Sequence, residues 1–264
     1  MNITFNKYMD NPSMGTSAFS MRTMYRQLYR QKYDQLLTRE QGKIMFRIYN
    51  ADDGHDSHYF HFKIPSESVA GLYYDVVIKL WTNNNSLKES ANFRDHFVQF
   101  FANDSAFVFT FAHAFRKNGL FLNDLEKKMN SMALKDRAVI RNPKDDIWYV
   151  KSLCFAYFTM ERYNLFSRSV ANQLGTKLSV SQLMKDIKTI EEKTAERAML
   201  EKEQKSKAAK ERLQRTSERQ LANRNFSSST ADRPRSITYT KNVKTKNTIK
   251  TVKRSNTIRS VKKH

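Results

Sequence analysis

The side chains best placed to do chemistry lie at the end of the chain, in a cationic repeat with a period of nine residues. Aligned, the units are YTKNVKTKN (239–247), TIKTVKRSN (248–256) and TIRSVKKH (257–264). The third position is basic in each (Lys241, Lys250, Arg259), the fifth is valine (Val243, Val252, Val261) and the sixth is lysine (Lys244, Lys253, Lys262). Lys246, Arg254 and Lys263 add further charge, and threonine or serine recurs between the cations. Regularly spaced cations separated by small hydroxyl residues suit a phosphate backbone, because they neutralise it and release its counterions. Tyr239 is the single aromatic residue in these units, so base stacking is not expected to dominate. With no base-reading motif, contact with nucleic acid should tolerate any sequence. Three rival readings stay open: a tail docked on an acidic protein surface, one that only aids solubility, and a β-branched segment ordered by a partner as an edge strand.

Other clusters carry weaker chemistry. Asp52, Asp53, His55, Asp56 and His58, with His61, include metal-ligand types. Asp-Gly is a common turn sequence, however, and the spacing of His58 and His61 puts them on opposite faces of a strand. No cysteine pair accompanies them, so no metal site is expected. His113 lies among phenylalanines and reads as a core histidine, and Cys154 falls on an apolar helix face. The six glycines are isolated, whereas a phosphate-cradling loop needs them close together. No cofactor is expected, and no constellation of residues specifies a reaction.

Charge and aromatic content divide the chain. Of the 32 Phe, Tyr and Trp residues, 30 lie at or before Phe166. Aromatic side chains carry most of the apolar area available for burial, which predicts a folded domain over residues 21–175. Residues 1–179 hold 24 basic and 17 acidic side chains, residues 180–224 hold 12 and 8, and residues 225–264 hold 11 and 1. Nearly half of the net charge of +21 therefore sits in the last 40 residues. Such a run repels itself and seeks a polyanion, and it predicts a disordered basic tail over 225–264. The single cysteine precludes an internal disulfide and suits a reducing compartment. No stretch is apolar enough to span a membrane.

The elements follow from periodicity. Residues 1–20 read as a polar, mobile arm. Met21 to Leu37 places Met21, Tyr25, Leu28, Tyr29 and Leu36 near helical spacing, with Arg22, Arg26, Arg30 and Lys32 elsewhere on the surface. A basic helix laid on nucleic acid is the sharper reading of that segment, and a helix packed on the domain the plainer one. Three segments alternate with period two: Ile44, Phe46 and Ile48; His58, Phe60, Phe62 and Ile64; Tyr74, Val76, Ile78 and Leu80. They predict antiparallel strands with one buried side, Asp75 and Lys79 facing outward. Phe93 to Phe101 reads as a further strand. Asn103-Asp104-Ser105 and Asn118-Gly119 bracket a helix over 105–115. Leu120 to Met132 reads as a second helix, and Ile147 to Leu174, opened by Asp145 and Asp146, as a third.

Beyond the Gly175-Thr176-Lys177 break, Ser179 to Gln182 resembles a capping box, and a charged helix is predicted over 179–224. Its apolar residues Leu183, Ile187 and Ile190 follow a heptad only for the first turns, a candidate oligomerisation seam. The fold class expected is α+β: a small antiparallel sheet followed by helices, then a long charged helix and the basic tail.

The segments IPSESVAGLYYDVVIKLW (64–81) and FFANDSAFVFTFAHAFRKNGLFL (100–122), with RNP at 141–143, resemble poorly characterised structural proteins of tailed bacteriophages with AT-rich genomes. The resemblance covers residues 15–165 and supplies no catalytic residues. It implies a virion or head-assembly protein, present in the virion and in the host cytoplasm during assembly, with other virion proteins as partners; the basic repeat would then touch packaged DNA or an acidic shell lumen. Two alternatives stand beside it. One is a cytoplasmic RNA- or ribosome-associated protein, and the other a scaffold or adaptor oligomerising through 180–200.

Overall fold

The computed structural model describes residues 2–10, 20–38, 43–51, 55–88, 90–138, 140–147, 150–176 and 179–229. The chain divides into two units, Met1–Lys210 and Glu211–His264. In the second, the described residues are helical as far as Ser229.

The first unit is α+β, built on a four-stranded antiparallel sheet in the order β1 (Met45–Ala51), β2 (Ser57–Pro65), β3 (Tyr73–Trp81) and β4 (Phe97–Ala102). Phe60 pairs with Ile48 on one side and Ile78 on the other, and Ile78 with Phe100. The alternating residues seen in the sequence therefore line up as one apolar face. Pro65 closes β2, as a residue without an amide donor should. The next turn contains Gly71 at φ +81°, a conformation open mainly to glycine.

Residues 3–10 of the expected arm are packed on the domain. Helix α1 (Phe5–Asp10) buries Phe5, Tyr8 and Met9, an i, i+3, i+4 stripe. Just before it, Ile3 accepts a hydrogen bond from the Val98 amide and Phe5 donates one to His96, so this segment covers the edge of β4. Helix α2 spans Met21–Leu37, capped by the Ser20 hydroxyl. Its buried stripe is Tyr25, Tyr29, Tyr33 and Leu36; Leu28, expected on that face, is exposed.

After β3 come a short helix α3 (Asn85–Lys88) and a 3₁₀ turn at Phe93–Asp95 that occupies the start of the expected fourth strand. The aromatic block is helical from Ser105, but it contains a π-helical turn (Phe107–Phe111) before α4 (Ala112–Lys117). Phe107 and Phe115 face inward while Phe109 is 48% exposed. Gly119 at φ +71° ends the helix where Asn118-Gly119 predicted a stop.

Leu120 to Met132 is not one helix. Leu120 and Leu122 flank the β4 backbone, exchanging hydrogen bonds with Phe100, before a 3₁₀ turn (Asn123–Lys128) and α5 (Ser131–Lys135). The helix expected from Ile147 to Leu174 is two, α6 (Lys151–Arg162) and α7 (Arg168–Leu174). Asn164 takes φ +53° between them, which an asparagine tolerates and a helix does not. Asp145, expected at the helix N-terminus, lies outside it and instead binds Lys117 at 3.0 Å and Arg137 at 3.3 Å.

The sheet is covered on both sides. Against the apolar face, Tyr8 meets Phe100 with ring centroids 4.8 Å apart, and Tyr163 at the end of α6 meets Phe46 at 5.3 Å. The other face carries Tyr49, Tyr59, His61, Asp75 and Val77, all buried. It is covered by α8 (Val180–Asp186) and the start of α9 (Ile190–Ser229), which bring in Leu183, Ile187 and Ile190 at 0%, 1% and 5% exposure. Two expectations are corrected here. The second sheet face is buried at Tyr49, Tyr59, His61, Asp75 and Val77 rather than open to water there, and the proposed seam of Leu183, Ile187 and Ile190 is occupied within the chain itself. The predicted single helix also breaks at residues 187–189. The capping box lies there rather than at Ser179: the Thr189 amide reaches Glu192 Oε2 at 2.6 Å, and the Glu192 amide reaches the Thr189 hydroxyl at 3.2 Å.

Candidate nucleic-acid interface

The nine cations singled out in the repeat, Lys241, Lys244, Lys246, Lys250, Lys253, Arg254, Arg259, Lys262 and Lys263, lie outside the described residues. Of the disordered tail expected over 225–264, residues 225–229 are instead the last turn of α9, and the remainder lies outside the described residues. Within the first unit, the helix α2 offered as a basic surface spends its cations locally. Arg22 binds Asp10 at 3.3 Å, and Arg26 approaches Glu161 at 3.5 Å. Arg30 binds Asp34 at 3.3 Å while its guanidinium lies 5.4 Å from the centre of the Phe158 ring. This pattern is that of a helix packed on the domain, the plainer of the two readings.

Among the charged groups described in the first unit, two networks tie distant segments together. On the sheet face covered by α8 and α9, His61 Nε2 and Asp75 Oδ1 are 2.9 Å apart. Asp75 Oδ2 accepts from the Asn103 amide at 2.9 Å and lies 3.8 Å from the Lys193 ammonium. Lys193 in turn donates to the Tyr73 carbonyl and to Glu196, and Asn103 also donates to the Lys188 carbonyl. Burial alone would raise the Asp75 pKa, but the hydrogen bond and charge of His61, with Lys193 and Asn103, bring it below its ordinary value. On the same face Tyr49 and Arg47 both donate to Asp186, at 3.0 and 3.2 Å.

The second network lies at one end of the sheet. Arg168 grips Asp56 with both terminal nitrogens, at 3.1 and 2.7 Å, in the paired geometry a carboxylate accepts best. His58 Nε2 is 3.1 Å from the same carboxylate and His96 Nε2 3.5 Å. Burial pulls the Asp56 pKa upward, yet the Arg168 hydrogen bonds and the charges of His58 and Arg168 hold it down at about 2. Burial lowers the His96 pKa. Arg168 also caps the chain at Ser90 through its Nε, 2.8 Å from that carbonyl, and stacks over Phe93 at 4.8 Å. His58 and His61 do sit on opposite strand faces, as their spacing requires, and each serves a different network.

These arrangements give each charged group fixed partners. Asp104, buried at the start of the aromatic helix, accepts from the Phe107 amide at 3.0 Å and from the Ser152 hydroxyl at 2.5 Å, joining two helix N-termini. Its burial outweighs those hydrogen bonds and raises its pKa. The Cys154 thiol is fully buried and donates to the Val150 carbonyl, and that burial pushes its pKa well up. His113 is half-buried, its Nδ1 3.1 Å from the Leu134 carbonyl. Among the described residues no group of three or more His, Cys, Asp or Glu side chains is placed to hold a metal ion. No described helix is long and apolar enough to cross a membrane.

Sequence reasoning missed Arg168, Lys193 and Asn103 as members of these networks. No local signal marks them, since Arg168 and Asp56 are 112 positions apart. Comparison of the chain with protein-family models, curated proteins and solved structures returned no match.

Proposed function

We propose that this chain is a structural protein of a tailed-phage particle or of its head assembly. Its aromatic unit makes protein contacts, and its basic C-terminal residues make sequence-independent contact with nucleic acid, chiefly packaged DNA. The observation that carries the reading is the charge gradient: 11 basic against 1 acidic side chain over residues 225–264, in a nine-residue repeat. The cation networks of the first unit support it by contrast, because Arg168 and Lys193 are each committed to internal carboxylates. Phosphate contact through lysines and arginines without base readout gives affinity that falls steeply with salt and hardly varies with sequence. No reaction and no cofactor are part of the proposal.

The test is a titration of the full chain with duplex DNA of two unrelated sequences across a salt series. The variant has Lys241, Lys244, Lys250, Lys253 and Lys262 replaced by glutamine. Each lost phosphate contact should reduce the slope of log affinity against log salt by roughly 0.9. An unchanged slope would reject the role of the repeat. Tighter binding to structured RNA than to duplex DNA would favour an RNA-associated protein. Presence of the chain in purified particles would test the virion assignment directly.

A further inference from the structure

A second cationic surface lies within the first unit, far in sequence from the repeat. The strands β2 and β3, the 3₁₀ turn at Asn123–Lys128 and helix α8 enclose a groove of about 900 Å³. Lys79, Lys127, Lys128 and Lys185 line it, against a single carboxylate, Asp124. That carboxylate is already taken: the Tyr59 hydroxyl donates to its Oδ2 at 2.9 Å and the Lys79 ammonium at 3.2 Å. Lys79 is further held 4.9 Å above the centre of the Tyr59 ring. Acids next in sequence turn elsewhere. Glu126 binds Arg116 at 3.0 Å and Asp186 binds Arg47 at 3.2 Å. Lys127 and Lys185 are exposed and Lys128 is half-buried. The groove thus holds an excess of positive charge that its own carboxylate does not cancel.

We infer that this groove is a second phosphate-backbone contact, which seats nucleic acid against the folded unit while the repeat binds it elsewhere. The inference rests on the nucleic-acid reading above. Several lysines facing one acid across a concave surface raise the local concentration of a polyanion. Lysine binds phosphate as a point charge and imposes no base preference. Tyr59 is buried beneath Lys79 and is not a stacking platform. No local spacing marks the site, because the lysines come from three separate segments.

Three full-length variants test it. One carries Lys127→Glu, Lys128→Glu and Lys185→Glu. A milder one carries glutamine at the same positions, in case reversal disturbs folding. A control places the same reversal on α9 as Lys202→Glu, Lys205→Glu and Lys210→Glu. Duplex DNA of random sequence is the probe, read as affinity against salt, with circular dichroism to confirm the fold. The groove variants should lower the salt slope by about 2 to 3 and weaken binding at least roughly tenfold near 0.1 M salt, with the glutamine variant showing the smaller loss. The control should lose less. Equal losses in groove and control variants, or an unchanged slope in both groove variants, would overturn the groove. If the repeat variant keeps full affinity while the groove variants lose it, the repeat's role falls and the groove stands. If the groove variants lose binding to poly-glutamate as strongly as to DNA, its assignment to phosphate is overturned.

Discussion

His61 Nε2 lies 2.9 Å from Asp75 Oδ1, and neither side chain is more than 2% exposed. The pair sits on the sheet face that a period-two reading leaves open to water. The buried Asp75 carboxylate survives there because Lys193 arrives from α9 to complete its set of partners. Replacing Asp75 by alanine takes away the acceptor of the buried His61 and Asn103 donors and one of the two carboxylates beside Lys193. It should cost about 3–5 kcal/mol in denaturant unfolding, the range for breaking a buried ion pair on one side. A loss below about 1 kcal/mol would mean that water reaches this face and the network is not structural.

The Asp56–Arg168 grip makes a prediction about acid. The folded-state pKa of Asp56, about 2, lies below its ordinary 3.8. A depressed carboxylate contributes stability that is complete above the unfolded value and is lost as pH falls through the folded one. The Asp75 shift has the same direction. Thermal midpoints should therefore fall as the pH is lowered from about 4 to about 2, and the fall should flatten in an Arg168→Gln variant, which removes much of the Asp56 depression. An identical pH profile in the variant would show that Arg168 does not hold that carboxylate.

Ile187 separates monomer packing from assembly. It is 1% exposed in the turn between α8 and α9. An Ile187→Ala change should cost about 2–5 kcal/mol, the range for truncating a buried aliphatic residue. Light scattering under native conditions should give the same mass as the unaltered chain. A lower mass with unchanged stability would restore the idea of a seam.

Phe5 tests whether the first residues belong to the fold. Its ring stands 4.8 Å from Phe166 and 6.0 Å from Tyr157, and the side chain is 1% exposed. Phe5→Ala should destabilise the protein by about 3–5 kcal/mol. A change within about 0.5 kcal/mol is what a free arm would give.

Thr189 offers a local measurement. Its hydroxyl and Glu192 complete the reciprocal cap of α9. Thr189→Ala should cost about 1 kcal/mol and speed amide exchange at Glu192, whereas Thr189→Ser should preserve both. Equal behaviour of the two variants would remove the cap's role.

Local signals served well where local physics decides. Helix α2 runs from Met21 to Leu37, the span its periodicity predicts, and Gly119 stops the aromatic helix where its conformational freedom allows. The three alternating segments pair as antiparallel strands in sequence order. Legibility failed at turns made by non-glycine residues. Apolar spacing from Ile147 to Leu174 looks continuous, yet Asn164 adopts a left-handed conformation and splits it into α6 and α7. The missed groove and the two charge networks failed for another reason: their members come from separate segments and share no spacing.

From its sequence alone this protein receives its strands, its capped helices, its aromatic store of burial and the steep rise of positive charge toward residue 264. Periodicity and composition carry these because each depends on neighbours within a few residues. Which surfaces close on which was left to the tertiary structure. It brought α8 and α9 over the second sheet face, buried Asp75 beside Lys193, and gathered Lys79, Lys127, Lys128 and Lys185 around one groove. Period two says that strand residues alternate, but it does not say how many sides will be covered. That depends on whether another segment has the apolar surface and the compensating charge to displace water there.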